Sequence, residues 1–323
     1  MPPDAPPGGG DEDAPVLRVR ARSPADEPAV AALLAAAADR AAALDPPAWL
    51  PRRLGSGAGA LVAVDEAGTV HGHVRPEVWE LAADDEARIF APDRSVRWVD
   101  AAADGSGALV ALAAAVRRSG PAGAAADGVL WPAADEVTAR WWAEAGLEPA
   151  AHHALRPPGP LPGPVPLAVE IRPARPADTE AVLALHEDAV VFQAAVSPYV
   201  RAVTAGEAGF RRRLVEGGSS THVAESGGEL LGACEWWVLS VEDREGRPAL
   251  LPPGRYAYLN SVAVSFPARG SGIGRALAGA ALAAAGPDLA GSTLWFSEHN
   301  PIARRVWPHL GWRPVWTSWE RRA

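Results

Sequence analysis

The segment Tyr258–Leu277 limits the possible folds of this chain more than any other. Its first part, up to Val264, alternates and is rich in Val, which is typical of a β-strand. The residues from Arg275 to Ala285 are almost all Ala and Leu, which predicts an α-helix. Between strand and helix lie three glycines at alternate positions, Gly270, Gly272 and Gly274. The segment therefore predicts a strand, a glycine-rich turn and a helix.

Glycines at this place let the backbone approach a ligand, and the free N–H groups of the helix N-terminus favour an anion such as pyrophosphate. Arg269 and Arg275 add fixed positive charge. The spacing Gly270-Ser271-Gly272-Ile273-Gly274 lacks the two-residue gap of dinucleotide-binding turns. It is no P-loop either, because the chain contains no lysine. On spacing alone, a tight turn without a ligand stays an alternative.

The turn resembles the acyl-coenzyme A site of the GCN5-related N-acetyltransferases (GNAT), whose motif is Arg/Gln-x-x-Gly-x-Gly/Ala after a Val-rich strand. Arg269, Gly272 and Gly274 match it position by position. A second family motif, a strand followed by a helix, is matched by Leu294-Trp295-Phe296 and then by Asn300, Ala303, Trp307, Gly311 and Trp312. The resemblance covers about residues 168–323.

This resemblance implies acetyl-coenzyme A, or another acyl-coenzyme A, as co-substrate, and no metal. In the family the fourth and fifth strands splay apart, and the pantetheine arm pairs with the fourth strand as an added β-strand. A backbone N–H of that strand serves as oxyanion donor. The residues implied in coenzyme binding are Val262, Ala263, Val264, Arg269, Gly270, Ser271, Gly272, Ile273, Gly274, Arg275, Asn300, Ala303 and Trp307.

The two halves of the chain repeat each other. Val19–Asp26 has a counterpart in Ile171–Asp178, and Leu130-Trp131 has one in Leu294-Trp295. We therefore expect an α/β protein of two tandem GNAT-like domains, each a mixed, mostly antiparallel sheet flanked by helices, with splayed fourth and fifth strands. The expected divisions are a disordered tail at 1–15, a first domain at 16–155, a Pro-rich linker at 156–167 and a coenzyme-binding domain at 168–323.

The halves are not equal. Where the phosphate loop is expected in the first half, the chain reads Trp98–Ala108, with a shorter connection and no Arg at the matching place. Asp100 and Asp104 would repel phosphate. We interpret this domain as a degenerate scaffold without coenzyme binding, an atypical site being the alternative. Only twelve residues follow Gly311, where the family usually has two strands. The missing strand is either supplied by the other domain or absent.

The catalytic groups are less well specified. The family's general acid is often the Tyr that Trp307 replaces, and indole is a poor acid. A thiol with a pKa of about 8.5 needs little help to leave, and Tyr258, Ser261 or water can assist. For the base, Glu235 lies on an apolar strand, while Glu298 and His299 follow the fifth strand. Tyr258 and Asn260 share one face of their strand. The predicted catalytic residues are Glu235, Tyr258, Asn260 and His299.

In the family, the first two helices and the loop after the third strand contact the acceptor. Here these segments are rich in aromatic residues, which favours an acceptor with an apolar part beside its amine, unless the same residues form ordinary core. The candidates are Phe192, Gln193, Tyr199, Trp236, Trp237 and the loop 242–254.

Composition narrows the functional class. A formal net charge of −9 argues against a nucleic-acid partner, one Cys fits a reducing compartment, and we expect no membrane span. The predicted function is that of a cytoplasmic N-acetyltransferase. It transfers an acyl group to a small-molecule amine by direct attack in a ternary complex. The alternative functions are a non-catalytic or regulatory acyl-coenzyme A-binding protein and acyl transfer to a hydroxyl. For the oligomeric state, both a monomer and a homodimer are compatible with the sequence.

Overall fold

The computed structural model describes residues 16–48, 50, 59–83, 85–119, 123–162, 169–202, 205–216, 219–242 and 250–322. The predicted tail and the second half of the predicted linker lie outside these residues. The described strands are β1 Arg18–Ala21, β2 Leu61–Val64, β3 Val70–Glu80, β4 Arg94–Ala103, β5 Ala126–Pro132, β6 Glu148–Arg156, β7 Glu170–Pro173, β8 Ser220–Ser226, β9 Glu229–Val241, β10 Gly254–Val264, β11 Gly291–Ser297 and β12 Arg313–Arg322. The α-helices are α1 Glu27–Leu44, α2 Ser106–Ser119, α3 Glu136–Glu144, α4 Thr179–Val196, α5 Ala205–Glu216, α6 Ile273–Ala284 and α7 Pro301–His309.

All twelve strands form one sheet in the order β1-β2-β3-β4-β5-β12-β6-β11-β10-β9-β8-β7. The pairs β4–β5 and β10–β11 are parallel, and the other neighbours in this order are antiparallel. The sheet is therefore mixed and mostly antiparallel, as expected. Helices α1 and α2 pack on the first half of the sheet, and α4 and α6 pack on the second.

The two halves exchange their last strands. β6 follows the first half in sequence but lies between β11 and β12, and β12 lies between β5 and β6. Ser292–Ser297 of β11 pairs with Ala151–Arg156 of β6, and Trp316–Arg322 of β12 pairs with Ala126–Pro132 of β5. Of the two alternatives for the missing strand, the first is therefore correct. Each half supplies the strand that completes the other.

The sheet register confirms the internal repeat. In the first half β4 and β5 pair only at Val96–Arg97 with Asp127–Gly128. In the second half β10 and β11 pair only at Tyr256–Tyr258 with Gly291–Thr293. Beyond these short parallel ladders the described strands diverge, so the predicted splay is present twice. Both β4 and β10 also carry an irregularity shortly after the ladder, at the equivalent residues Asp100 and Asn260.

The repeated sequence at the start of each half forms the same ion pair twice. The guanidinium of Arg20 donates to both carboxylate oxygens of Asp26 at 2.7 Å. Arg172 donates to those of Asp178 at 2.7 and 3.0 Å. In both pairs the aspartate also accepts the backbone N–H three residues before it, which fixes the entry into the following helix. The hydrogen bond from Arg172 lowers the pKa of Asp178 to about 2.

Candidate functional site

The glycine-rich turn after β10 adopts a conformation that other residues rarely take. A 3-10 turn, Phe266–Ala268, is followed by Gly270 with φ of 82° and Gly272 with φ of 91°. Gly272 is the N-cap of α6. Only glycine takes such φ values without steric penalty. The space beside both Cα atoms is open, so backbone N–H groups at the start of α6 are accessible to a ligand.

Arg269 supplies the charge at this turn. Its Nε donates to the carbonyl of Val264 at 3.2 Å, and its guanidinium lies over the rings of Phe192 and Phe266, at 4.5 and 5.3 Å from their centroids. Its Nη1 is buried and has no hydrogen-bond partner among the described residues. A buried N–H of a cation without a partner is costly. The turn therefore fits an anionic group such as the pyrophosphate of a coenzyme.

Next to the turn lies a cleft of about 800 Å³, between the splayed strands β10 and β11. All but one of the residues predicted to bind the coenzyme line it, namely Val262, Ala263, Val264, Arg269, Gly270, Gly272, Ile273, Gly274, Arg275, Asn300, Ala303 and Trp307. The exception is Ser271, whose Oγ donates to the carbonyl of Ala268 at 2.6 Å and so braces the turn. The fold thus brings both sequence motifs to one cleft.

Helix α7 carries the second motif. Oδ1 of Asn300 accepts the backbone N–H groups of Ile302 and Ala303, both at 3.1 Å. Asn300 is therefore the N-cap of α7, and its part in the cleft is to fix this helix. Trp307, at the position of the family's Tyr, lines the cleft and meets the buried Trp312 edge to face, with ring centroids 5.4 Å apart.

Glu235, the first residue predicted as base, is surrounded by hydrogen-bond donors. Its Oε1 accepts from Nε of Arg213 and Oγ of Ser219, both at 2.7 Å. Its Oε2 accepts from Nη2 of Arg213 at 3.0 Å and from Nδ2 of Asn260 at 2.6 Å. The residue is 1% exposed. We expected from the sequence that Glu235 could face the cleft. Instead it is absent from the lining of the cleft, and both of its oxygens bind donors, among them Nδ2 of Asn260.

Asn260 stands at the junction of two cavities. It lines the coenzyme cleft and also a second, mostly apolar cavity of about 730 Å³. Since its Nδ2 is bound to Glu235, its Oδ1 is left to accept a hydrogen bond. Tyr258 lines only the second cavity, where its ring packs on Trp237 at 4.7 Å. Burial raises the pKa of Tyr258 to about 12, so its hydroxyl stays protonated.

His186 of α4 was not found from the sequence. It lines the coenzyme cleft, its Nδ1 lies 3.1 Å from Oγ of Ser261, and its ring stacks on Phe210 at 4.2 Å. Burial lowers the pKa of His186; the charge of Glu235 acts in the opposite direction, and that of Arg213 reinforces the lowering. A neutral imidazole in the cleft can accept a proton. The only sequence signal was its spacing from Gln193 on one face of a predicted helix.

The candidates after β11 lie outside both cavities as the described residues line them. Glu298 binds Nε2 of His152 at 2.7 Å and Nη1 of Arg304 at 3.1 Å. The ring of His299 lies 5.4 Å from that of Tyr199, and its backbone N–H donates to Oγ of Ser297. These contacts hold the segment that links β11 to α7.

The predicted acceptor contacts divide between the cavities and the core. Phe192 lines the coenzyme cleft, Gln193 lines both cavities and Tyr199 lines the second. Trp236 is buried, and its Nε1 donates to Nδ1 of His222 at 3.0 Å. Residues 243–249 of the predicted loop lie outside the described part of the chain.

Neither a metal-binding group nor a membrane-spanning helix is found among the described residues. Among them no group of three or more His, Cys, Asp and Glu side chains is placed to hold a metal ion. None of their helices combines the length and the apolar character needed to cross a membrane.

The C-terminal half of the chain combines the splayed strands β10 and β11 with a left-handed glycine turn before α6. Residues 187–312 match the model of the acetyltransferase (GNAT) family. A comparison with curated proteins found no match.

A solved structure that aligns with nearly the whole chain extends the likeness in fold to both halves. A GCN5-related N-acetyltransferase from Sphaerobacter thermophilus aligns with a TM-score of 0.51 at 19% identity, covering 95% of each chain. A tandem GNAT protein from the clavulanic acid biosynthesis pathway aligns over 95% of this chain and 98% of its own, with a TM-score of 0.44 at 18% identity. The protein has the tandem GNAT-like fold that we expected.

The first half lacks the phosphate turn. Its connection from β4 to α2 consists of Asp104 and Gly105 alone, where the second half has residues 265–272 between β10 and α6. The shorter connection expected from the sequence is thus present. It leaves no room for a turn like that of Gly270 and Gly272, which favours our interpretation that only the second half binds coenzyme.

Proposed function

We propose that the protein is an acyl-coenzyme A-dependent N-acyltransferase that acts on a small-molecule amine. One observation carries the proposal most directly. Beyond Tyr258, the edge of β10 that faces β11 is not paired with it. This edge continues into the left-handed glycine turn and toward Nη1 of Arg269, which has no hydrogen-bond partner among the described residues. An extended chain ending in phosphates would pair with the first and bind the second.

The residues of the cleft have separate roles in acyl transfer. The turn and Arg269 hold the phosphates, and the backbone of Val262 and Val264 holds the pantetheine arm, which delivers a thioester to the junction. Oδ1 of Asn260 accepts a hydrogen bond from the amine and orients it. The amine nitrogen attacks the thioester carbonyl, the C–N bond forms, and the C–S bond breaks with its electron pair on sulfur. His186 accepts the proton that the amine loses.

The oxyanion that forms during attack needs backbone donors, and the free edge of β10 supplies N–H groups beside the cleft. Departure of the thiolate needs no strong acid, because a thiol has a pKa of about 8.5. Trp307 in place of Tyr is therefore compatible with catalysis.

The same Trp307 favours a second candidate, a protein that binds acyl-coenzyme A without transferring the acyl group. Its indole lines the cleft where the family has a proton donor. The two candidates share the coenzyme site and differ in the release of thiol.

Calorimetry with acetyl-coenzyme A tests the site. We expect binding by the wild-type protein and a loss of at least about tenfold in affinity for Gly272→Trp, which places a large side chain at a positive-φ position in the turn. Gly105→Trp is the matched control, since its space is equally open but it lies in the first half. Equal affinity of the Gly272 variant and the wild type would contradict the assignment. Thiol release with a panel of amines then separates transfer from binding alone.

A further inference from the structure

We infer that the second cavity is the acceptor chamber, that the first half of the chain builds most of its wall, and that it selects amines with an aromatic ring system. This inference rests on the proposed function and names its substrate class. The cavity has a volume of about 730 Å³, within the range of pockets that enclose a drug-sized ligand.

The walls come from the splay of the first half. Where β4 and β5 diverge, the residues from Arg97 to Ala101 and from Gly128 to Trp131 face the cavity. The equivalent space in the second half holds the coenzyme cleft. Without the phosphate turn, the first splay keeps an opening between two strands and loses the means to hold a phosphate. The opening is therefore available for another ligand.

Nine of the residues that line the chamber are aromatic. They include the buried Trp98 and Trp131 of the first half, and Tyr258, Trp295 and Trp316 of the second half. Such rings bury large apolar area and favour stacking with an aromatic ligand. An aliphatic amine of a few carbons would leave most of this surface wet.

Two of the large apolar side chains that line the chamber are exposed to solvent. Trp79 and Phe90 line it and are each 51% exposed. Exposed apolar side chains beside a cavity mark a ligand surface. Phe90 lines the coenzyme cleft as well, so a ligand in the chamber passes from these rings to the reacting junction.

The junction connects chamber and coenzyme. Five residues line both cavities, namely Phe90, Gln193, Asn260, Trp295 and Phe296. An amine held in the chamber reaches the thioester only there, where Oδ1 of Asn260 is available. At another point of the lining, Glu320 is 6% exposed, and its Oε1 accepts from Arg97 at 3.2 Å and from Ser318 at 3.0 Å. Its Oε2 lies 3.8 Å from Nη2 of Arg322 and has no hydrogen-bond partner among the described residues. This oxygen suits an N–H donor on the ring system.

Steady-state thiol release with acetyl-coenzyme A and three amines tests the chamber: n-butylamine, 2-phenylethylamine and tryptamine. For the wild-type protein we expect kcat/KM to rise in this order, by at least about tenfold overall, since burial of apolar area is worth about 25 cal/mol per Å². Trp79→Ala should lower kcat/KM for tryptamine about tenfold, change that for n-butylamine less than about twofold and leave the KM for acetyl-coenzyme A unchanged. Phe90→Ala should also lower kcat/KM for tryptamine about tenfold.

Val78→Ala is the matched control. Val78 is the strand neighbour of Trp79, is 47% exposed and points to the opposite face of β3. It should leave all three amines unaffected. The inference is overturned if the three amines react equally well, or if Trp79→Ala slows n-butylamine and tryptamine alike.

Failure of the proposed function gives a different result. If acetyl-coenzyme A binds but no amine releases thiol, transfer is excluded, and the chamber is tested by calorimetry of tryptamine binding in the presence of coenzyme A. Binding that Trp79→Ala weakens and Val78→Ala does not would support the chamber. Absence of tryptamine binding would overturn it.

Discussion

Nδ1 of His186 lies 3.1 Å from Oγ of Ser261, which places an imidazole of α4 against strand β10. Ser261 directly follows Asn260, the residue at which β10 departs from regular pairing with β9. A proton acceptor and a polar orienting group are therefore brought side by side by an irregularity of the strand. This is a frequent use of bulges near active sites.

His186→Gln is predicted to lower kcat by about 100-fold, the usual contribution of a general base, with unchanged affinity for acetyl-coenzyme A. Because burial lowers the pKa of His186 from its usual 6.5, the neutral imidazole is the major form at pH 6.5. The acidic limb of the wild-type kcat/KM profile should therefore lie below pH 6.5. Thiol-release kinetics from pH 5 to 8 measure both effects.

His222→Gln is the control for His186→Gln. His222 is likewise buried, with a pKa that burial lowers, and lies on β8 away from both cavities as the described residues line them. A similar loss of kcat in the two variants would point to a general structural effect and against His186 as base.

Glu235→Gln tests whether this residue is structural. The substitution removes the charge that Arg213 and Asn260 share and is expected to lower the free energy of unfolding by about 2 kcal/mol or more, as for other buried charged hydrogen bonds. Because the charge of Glu235 raises the pKa of His186, the acidic limb of the pH–rate profile should remain but move to lower pH in this variant. Urea unfolding gives the first quantity and pH-dependent kinetics the second. A profile that loses its acidic limb would make Glu235 the base.

The glycine turn and α6 were predictable because their signals are local. Gly270 and Gly272 mark left-handed backbone, and the Ala-rich run after them predicts a helix whatever lies around it. The side-chain partners of Glu235 were not predictable in this way. Arg213 comes from α5, and the sequence contains no sign that this helix lies over β9. His186 could not be predicted for the same reason, since its role depends on which strand its helix covers.

The strand exchange shows the same limit at the level of the fold. The short stretch after Gly311 indicated that one strand was missing, but either solution satisfied the sequence. The choice depends on pairing of β6 with β11, which are far apart in the chain. Such contacts follow from the packing of the two halves and not from local pattern.

Because of this exchange, neither half is expected to fold alone. A fragment of residues 168–323 lacks β5 and β6, so β11 loses one neighbour and β12 loses both, and such unpaired strands favour aggregation. We expect it to be insoluble or to lack dispersed methyl NMR signals. Co-expression with residues 1–167 should restore solubility and acetyl-coenzyme A binding. A separate second half that binds acetyl-coenzyme A with wild-type affinity would show that the exchanged strand is dispensable.

The exchange also buries His153 of β6, 4% exposed, against β11, where its Nε2 lies 2.6 Å from Oγ1 of Thr293. Burial lowers the pKa of His153 to about 4, below the value of about 6.5 in the unfolded chain. Between these values the unfolded state binds more protons. Stability is therefore full above pH 6.5 and is lost as the pH falls toward 4, by up to about 3 kcal/mol.

Replacing this histidine should flatten the pH dependence of unfolding. For His153→Gln we expect the urea midpoint to fall less between pH 7 and pH 5 than it does for the wild-type protein.

His71→Gln is the contrasting control. Burial lowers the pKa of His71, but its hydrogen bonds with Asp104 and Asp65 outweigh burial and raise it overall. His71 therefore contributes stability that is present below pH 6.5 and lost as the pH rises through its folded-state pKa, so its removal should steepen the decline toward low pH. Equal slopes for wild type and His153→Gln would show that His153 does not remain neutral in the folded sheet.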